Sequence, residues 1–288
     1  MTIRTILVPV DGSEASRPAL QAAFTLGRDL GAYVCALHVN VDSKDAVPLL
    51  GEGMSAAIIE EMIQLSEKDS QERAAKAKAM FDEMCASMSM PLSERPPASE
   101  GASAELTNVT GHEDEVMALK GRLSDLIVQA RPTEKSDASA TMTINASLFE
   151  TGRPVLMAPP SPPARIGHKI AVSWNGSAEA SKAVAAAMPL IRKAHNVVVL
   201  TVESDKVPSG IAPELVDYFA RHGVATEVKT LAASGSQVGE AVLAECKAMG
   251  ADLLVMGAYT HSRMRQLILG GVTRHVLENA EIPVLMAH

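Results

Sequence analysis

The sequence predicts an α/β protein of two tandem doubly wound domains, each a five-stranded parallel sheet flanked by helices. Three observations carry this. Segments near the start of the chain recur in its second half. Short aliphatic runs alternate with helix-length segments. Hydrophobic residues make up 47% of the 288-residue chain, yet aromatics only 3%. A core of Ala, Val, Leu, Ile and Met suits parallel strands, which are covered on both faces and read as continuous aliphatic runs.

The repeat comes first. "ILVPVDGSEAS" (6–16) is matched by "IAVSWNGSAEAS" (170–181) with one extra residue. Each is an aliphatic strand, then Asp/Asn-Gly-Ser, then an Ala-rich helical run. The helices "SRPALQAAFTLGRDLGA" and "EASKAVAAAMPLIRKAH" lead to the aliphatic runs "YVCALHV" and "NVVVLTV". The ends agree as well: "SDLIVQA…RPVLMAPP" (124–160) parallels "ADLLVMG…IPVLMAH" (251–288). "APPSPPARIG" (158–167), with four prolines, reads as the linker. The domains are therefore 1–160 and 166–288.

In the second copy the patterns place strands near 169–174, 196–202, 225–231, 253–256 and 283–286. Helices fall near 179–193, 212–222, 237–249 and 271–279. Right-handed crossovers put helices on both faces, and ligands of such sheets bind at the carboxyl ends of strands where strand order reverses. The first copy carries an insertion, about 54–90. Its Ile58, Met62, Leu65, Ala77, Met80, Phe81, Met84 and Met88 keep helical spacing, as expected of a long helix covering the sheet. A Met-rich partner surface is the competing reading.

Charge narrows the function. The net charge is −8, which argues against a general nucleic-acid or anionic-membrane binder. Residues 1–160 carry 14 Lys/Arg and 23 Asp/Glu, whereas residues 161–288 carry 12 and 11, so the second half is the less hostile to an anion. Cys35, Cys85 and Cys246 form no CxxC pair and read as small buried hydrophobes in a reducing compartment. The start of the chain has no signal-peptide architecture, and no apolar run approaches the roughly 18 residues of a membrane span. A cytoplasmic location is the expectation.

Two strand ends hold the candidate chemistry. The first strand of the first copy ends in Asp11-Gly12-Ser13; the second copy has Asn175 at the Asp position. Either side chain could bond a nucleotide or simply order the turn, with Ser13 as a helix N-cap. The fourth strand of the second copy runs into "GAYTHSRMRQLILGGVT" (257–273). Gly257 permits a tight exit. Gly270 and Gly271 stand where a helix begins, so backbone N–H groups of Val272 and Thr273 could meet an anion helped by the helix dipole. Arg263 and Arg265 lie inside this loop, as solvated charges or as phosphate contacts. In "GHEDE" (111–115) the acidic residues suit a helix start better than a metal site, and His38 reads as a half-buried structural histidine. No GxxxxGK[ST], GxGxxG, HExxH or GxSxG is present.

On these residues the chain resembles a tandem universal stress protein over nearly its whole length. Nucleotide-binding members of that family carry G-x2-G-x9-G-[ST] after the fourth strand and an Asp at the end of the first. The resemblance makes Gly257 the first glycine and Gly270 the third. Thr260 replaces the second, Gly271 replaces the Ser/Thr, and Asn175 replaces the Asp. In the first copy residues 122–151 contain no glycine, so its site is degenerate. The implied function is a stress-response regulator that binds ATP or AMP, the former with Mg2+, in its C-terminal domain. Asn175, Val202, Gly257, Thr260, Gly270, Gly271, Val272 and Thr273 would hold the nucleotide. No catalytic constellation accompanies them, so at most a slow ATP hydrolase is expected. The alternative is a nucleotide-free interaction or scaffold module of the stress response, working through regulatory protein partners. The family's last strands pair across an approximate two-fold axis. "RPVLMAPP" and "IPVLMAH" are therefore expected to form an intrachain pseudo-dimer, and exposed edge strands leave a homodimer of chains open.

Overall fold

The computed structural model describes residues 2–40, 55–93, 101–132, 138–202, 210–235, 237–259 and 271–288. The first half runs β1 (Thr5–Pro9), α1 (Arg17–Leu30), β2 (Tyr33–Asn40), α2 (Ala56–Ser87), β3 (Ser103–Thr110), α3 (Glu113–Gly121), β4 (Leu126–Ala130), α4 (Ala138–Phe149) and β5 (Val155–Ala158). The second repeats the order: β6 (Lys169–Ser173), α5 (Ala178–Ile191), β7 (Asn196–Val202), α6 (Ile211–Arg221), β8 (Glu227–Leu231), α7 (Gln237–Met249), β9 (Leu253–Gly257), α8 (Gly271–Asn279) and β10 (Val284–Ala287). Every strand and helix expected in the second copy is present, with ends shifted by at most two residues.

The strand order is β3-β2-β1-β4-β5-β10-β9-β6-β7-β8. Each half is parallel within itself, and the two join through the antiparallel pair β5–β10, where Leu285 faces Leu156. The two expected five-stranded sheets are thus one ten-stranded sheet, and the expected pairing of the last strands lies within one chain. Leu156 and Leu285 are buried on one face of the junction, Val155, Met157, Val284 and Met286 on the other. Each core layer therefore runs through both halves.

One repeated residue sets the entrance to each half. Asp125, just before β4, accepts from the N–H groups of Arg4 and Thr5 and from the Thr5 hydroxyl at 2.8–3.0 Å. Asp252, just before β9, accepts from the N–H groups of Gly167, His168 and Lys169 at 2.9–3.1 Å. Each carboxylate ties the approach to its half's first strand onto that half's fourth. Three charge-assisted bonds are lost in Asp252→Ala. The expected cost is about 2–3 kcal/mol, a melting temperature lower by roughly 4–10 °C. Scanning calorimetry checks this, and an unchanged melting temperature would refute the role.

The long insertion is α2, 32 residues and about 48 Å long at the usual rise. Only its C-terminal half behaves as expected of a core helix: Ala77, Met80, Phe81, Met84 and Cys85 are buried, and Phe81 meets Phe24 of α1 edge to face at 6.0 Å. In its first half Ile58 and Leu65 remain 47% and 60% exposed, so helical spacing there does not report burial. All three cysteines are free. Burial raises the thiol pKa of Cys85 to about 11 and of Cys246 to about 12. Among the described residues no helix is long and apolar enough to cross a membrane.

Candidate strand-end site

Strand order reverses between β6 and β9, which are paired with Ser173 opposite Met256. Their carboxyl ends open side by side. Past β6, the Asn175 Oδ1 accepts from the Ser177 N–H at 3.1 Å, and Gly176 takes the left-handed conformation, φ 73°. The Ser177 Oγ accepts from the Ala180 N–H at 3.1 Å and caps α5. Asn175 thus orders the turn that aims the N-terminus of α5 at this edge. Asp11 does the same in the first half, its Oδ1 accepting from the Ser13 N–H at 2.8 Å. Ser13 is not the N-cap of α1; Ser16 is, without a side-chain cap bond.

Past β9, Gly257 slides against the first turn of α5. A Cβ there would lie 2.5 Å from the Ala180 N and 2.9 Å from the Glu179 carbonyl carbon. Ala258 N bonds the Ala287 carbonyl at 2.9 Å. Tyr259 then adopts φ 60°, and its N–H donates to the Thr273 Oγ1 at 3.3 Å. That bond ties the first turn of α8 to the end of β9. Thr273 is buried, Val272 half-buried and Gly271 exposed at the first position of α8. Val202 closes β7, the next strand beyond β6. Asn175, Val202, Gly257, Gly271, Val272 and Thr273 therefore lie on the carboxyl edge or in the first turn of the helix tied to it. Thr260 and Gly270, with Arg263 and Arg265, lie outside the described residues.

Tyr259, outside the glycine pattern, is a bulky residue in the left-handed region. For a bulky residue this conformation costs on the order of 1–3 kcal/mol and persists where surroundings fix it. The fixing contact comes from the other half. The Tyr259 ring packs against Phe149 of α4 at 5.0 Å, and Phe149 meets His288 at 4.8 Å. His288 in turn has its Nδ1 3.1 Å from the Ala258 carbonyl. Burial pushes the Tyr259 hydroxyl up to about 12. Glycine spacing carries no signal for this cluster, and neither aromatic residue was singled out.

The equivalent edge of the first half is closed. Helix α2 lies on the Asp11–Ser13 turn: a Cβ on Gly12 would be 2.8 Å from both the Ala77 N and the Arg73 carbonyl oxygen. Arg17 clamps the helices together, bonding Glu14 and Glu83 at 3.1 and 2.9 Å. Gln129 turns onto Ser147 at 2.7 Å, and Arg131 crosses to the Glu278 carbonyl in the last turn of α8 at 2.6 Å. The cavity left among Asp11, Gln129, Arg131 and Thr143 is ≈ 80 Å³. At about 30 Å³ per water that is room for two or three waters. His38 is fully buried, not half-buried, at 3% exposure, with its Nδ1 2.7 Å from the Val10 carbonyl. The acidic run is the first turn of α3, as expected. Among the described residues no three His, Cys, Asp or Glu side chains converge as metal ligands.

The chain matches the universal stress protein family over residues 2–137 and again over 168–288. The chain belongs to the universal stress protein family. It carries two copies of the domain. Universal stress protein Slr1230 of Synechocystis is 24% identical to it, over 98% of this chain and 99% of that one. A universal stress protein of Archaeoglobus fulgidus superposes with a TM-score of 0.68 at 14% identity, covering 98% of this chain and 97% of that structure. The protein PA1789 of Pseudomonas aeruginosa, described as functionally unknown, superposes at 0.54 with 15% identity, covering 98% and 92%. At these identities the solved structures speak to the fold alone: the tandem arrangement spans this universal stress protein from end to end.

Proposed function

We propose that this universal stress protein is a stress-response regulator that binds one adenine nucleotide, ATP or AMP, on the carboxyl edge of its second half. The observation that carries the reading is the meeting of two helix N-termini at the β6/β9 switch point. Helix α5 abuts Gly257, and α8 is tied to β9 through Thr273 and Tyr259. The dipoles of two helices converging there favour a phosphate. Gly270 and Gly271 would let the chain approach it, and Val202 would flank the base. Because the Asp position is Asn175, bonds to the ribose or base would be neutral. The first half contributes structure, its own edge being closed by α2. In this reading the chain is a binding protein and at most a slow ATP hydrolase.

Calorimetric titration of the full chain with ATP and AMP, with and without Mg2+, tests the reading. One nucleotide per chain at micromolar affinity is expected. Gly270→Val should abolish binding while leaving the melting temperature within a few degrees. No heat up to millimolar nucleotide, or unchanged binding in Gly270→Val, would overturn the assignment and favour the nucleotide-free interaction module.

A further inference from the structure

A second site lies at the seam between the halves, sharing no residue with the Asn175 turn, Gly257 or Thr273. A cavity of ≈ 420 Å³ is walled by the approach to β1 and the end of α1 on one side, and by α5 and the end of α6 on the other. That volume falls in the range of about 300–1,000 Å³ typical of small-molecule sites. Its lining is divided. Ile3 and Met188, both buried, with Leu30, Ala185 and Pro189, form an apolar wall.

Arg4, Arg192 and Lys193 form a cationic rim. Arg192 Nη2 lies 3.0 Å from His222 Nδ1, and Lys193 Nζ donates to the Asp29 carbonyl at 3.0 Å. Among the described residues none of the three cations forms an ion pair with a carboxylate. A neighbouring cavity of ≈ 210 Å³ shares Thr2, Ile3, Ala185 and Pro189 with the first and adds two more cations, Arg153 and Lys182. Arg153 bonds the Arg122 carbonyl oxygen, and Lys182 a main-chain oxygen of His288, the last residue of the sequence. Asp125 places a carboxylate there, held by the N–H groups of Arg4 and Thr5 and the Thr5 hydroxyl, so the second cavity is the less cationic of the two. In a chain of net charge −8, three cations rim the larger, apolar-walled cavity, and among the described residues none of them is paired with a carboxylate. The missing partner is an anion with an apolar body.

We propose that the seam binds a small amphiphilic carboxylate. Its head is held by Arg4, Arg192 and Lys193, and its body lies against Ile3, Met188 and Pro189. The cavity is built by both halves, so such a ligand would bridge them.

The test is calorimetry of the full chain with decanoate kept below its micellar concentration. Acetate serves as head without body, and inorganic phosphate as a compact anion. Saturable binding of decanoate at one site is expected, with acetate and phosphate at least tenfold weaker. Arg192 and Lys193 are exposed, so the double variant Arg192→Gln/Lys193→Gln should melt as the parent does. It should bind decanoate roughly tenfold more weakly, as expected for two half-solvated charges. Gly270→Val should bind decanoate as the parent does, which separates this site from the nucleotide site. Decanoate that fails to saturate, acetate binding as tightly, displacement by ATP, or a double variant of undiminished affinity would each overturn the proposal.

Discussion

Gly257→Ala is expected to destabilise the protein by about 2–4 kcal/mol, whereas Gly271→Ala should change stability by less than about 0.5 kcal/mol. Both glycines belong to the candidate loop, and spacing alone treats them alike. The structure does not. A methyl on Gly257 meets backbone at 2.5 Å, the Ala180 N–H that Ser177 caps. Backbone cannot rotate aside, so α5 must shift. Overpacking costs about 1–3 kcal/mol, and disturbing the cap adds about 1 kcal/mol. A methyl on Gly271 meets nothing within 4 Å. Denaturant midpoints of the two variants give the comparison, and equal midpoints would contradict it. The pair also bears on function. Gly257→Ala would weaken nucleotide binding by moving α5 whether or not the loop is a cradle. Lost binding in that variant is therefore no evidence about phosphate; Gly270→Val is the diagnostic change.

What the sequence made legible and what it hid divide along contact distance. Strand and helix positions in the second copy followed from periodicity, which is local, and from agreement between the copies. The β5–β10 pairing followed from "RPVLMAPP" and "IPVLMAH" once the family resemblance supplied the rule. Asp125 and Asp252 stand at the same offset before the fourth strand of each copy, so their shared role was visible as a repeat and was not read. The closure of the first edge was half legible: the absence of glycine over 122–151 argues against a phosphate loop there. That α2 packs on Gly12 depends on residues 61 and 65 positions away, which no pattern in either segment announces. The same holds for Tyr259, whose conformation is fixed by Phe149, 110 residues earlier. Helical spacing over Ile58 to Leu65 misled because it reports a face and not what covers it.

The largest effect is expected from Leu285→Asp. Leu285 and Leu156 face each other across the one antiparallel pair among the described strands, and both are fully buried. Replacing the leucine forfeits about 2–5 kcal/mol of packing and adds the cost of an unpartnered buried carboxyl. That total rivals the stability of an ordinary domain. The seam should open. Denaturation is then expected in two transitions where a single one is expected of the parent, with a larger radius of gyration by solution scattering. A single transition at the parent's midpoint would show that the halves do not depend on this junction. Opening the seam should also reach the nucleotide site without changing any residue of it. Once Phe149 leaves Tyr259, only the bond from the Tyr259 N–H to the Thr273 hydroxyl remains, among the contacts described, to hold the left-handed turn that joins β9 to the loop. Phe149→Ala isolates that link: nucleotide affinity should fall several-fold while β5–β10 stays paired. Undiminished affinity in Phe149→Ala would mean that the Thr273 hydroxyl alone holds the turn.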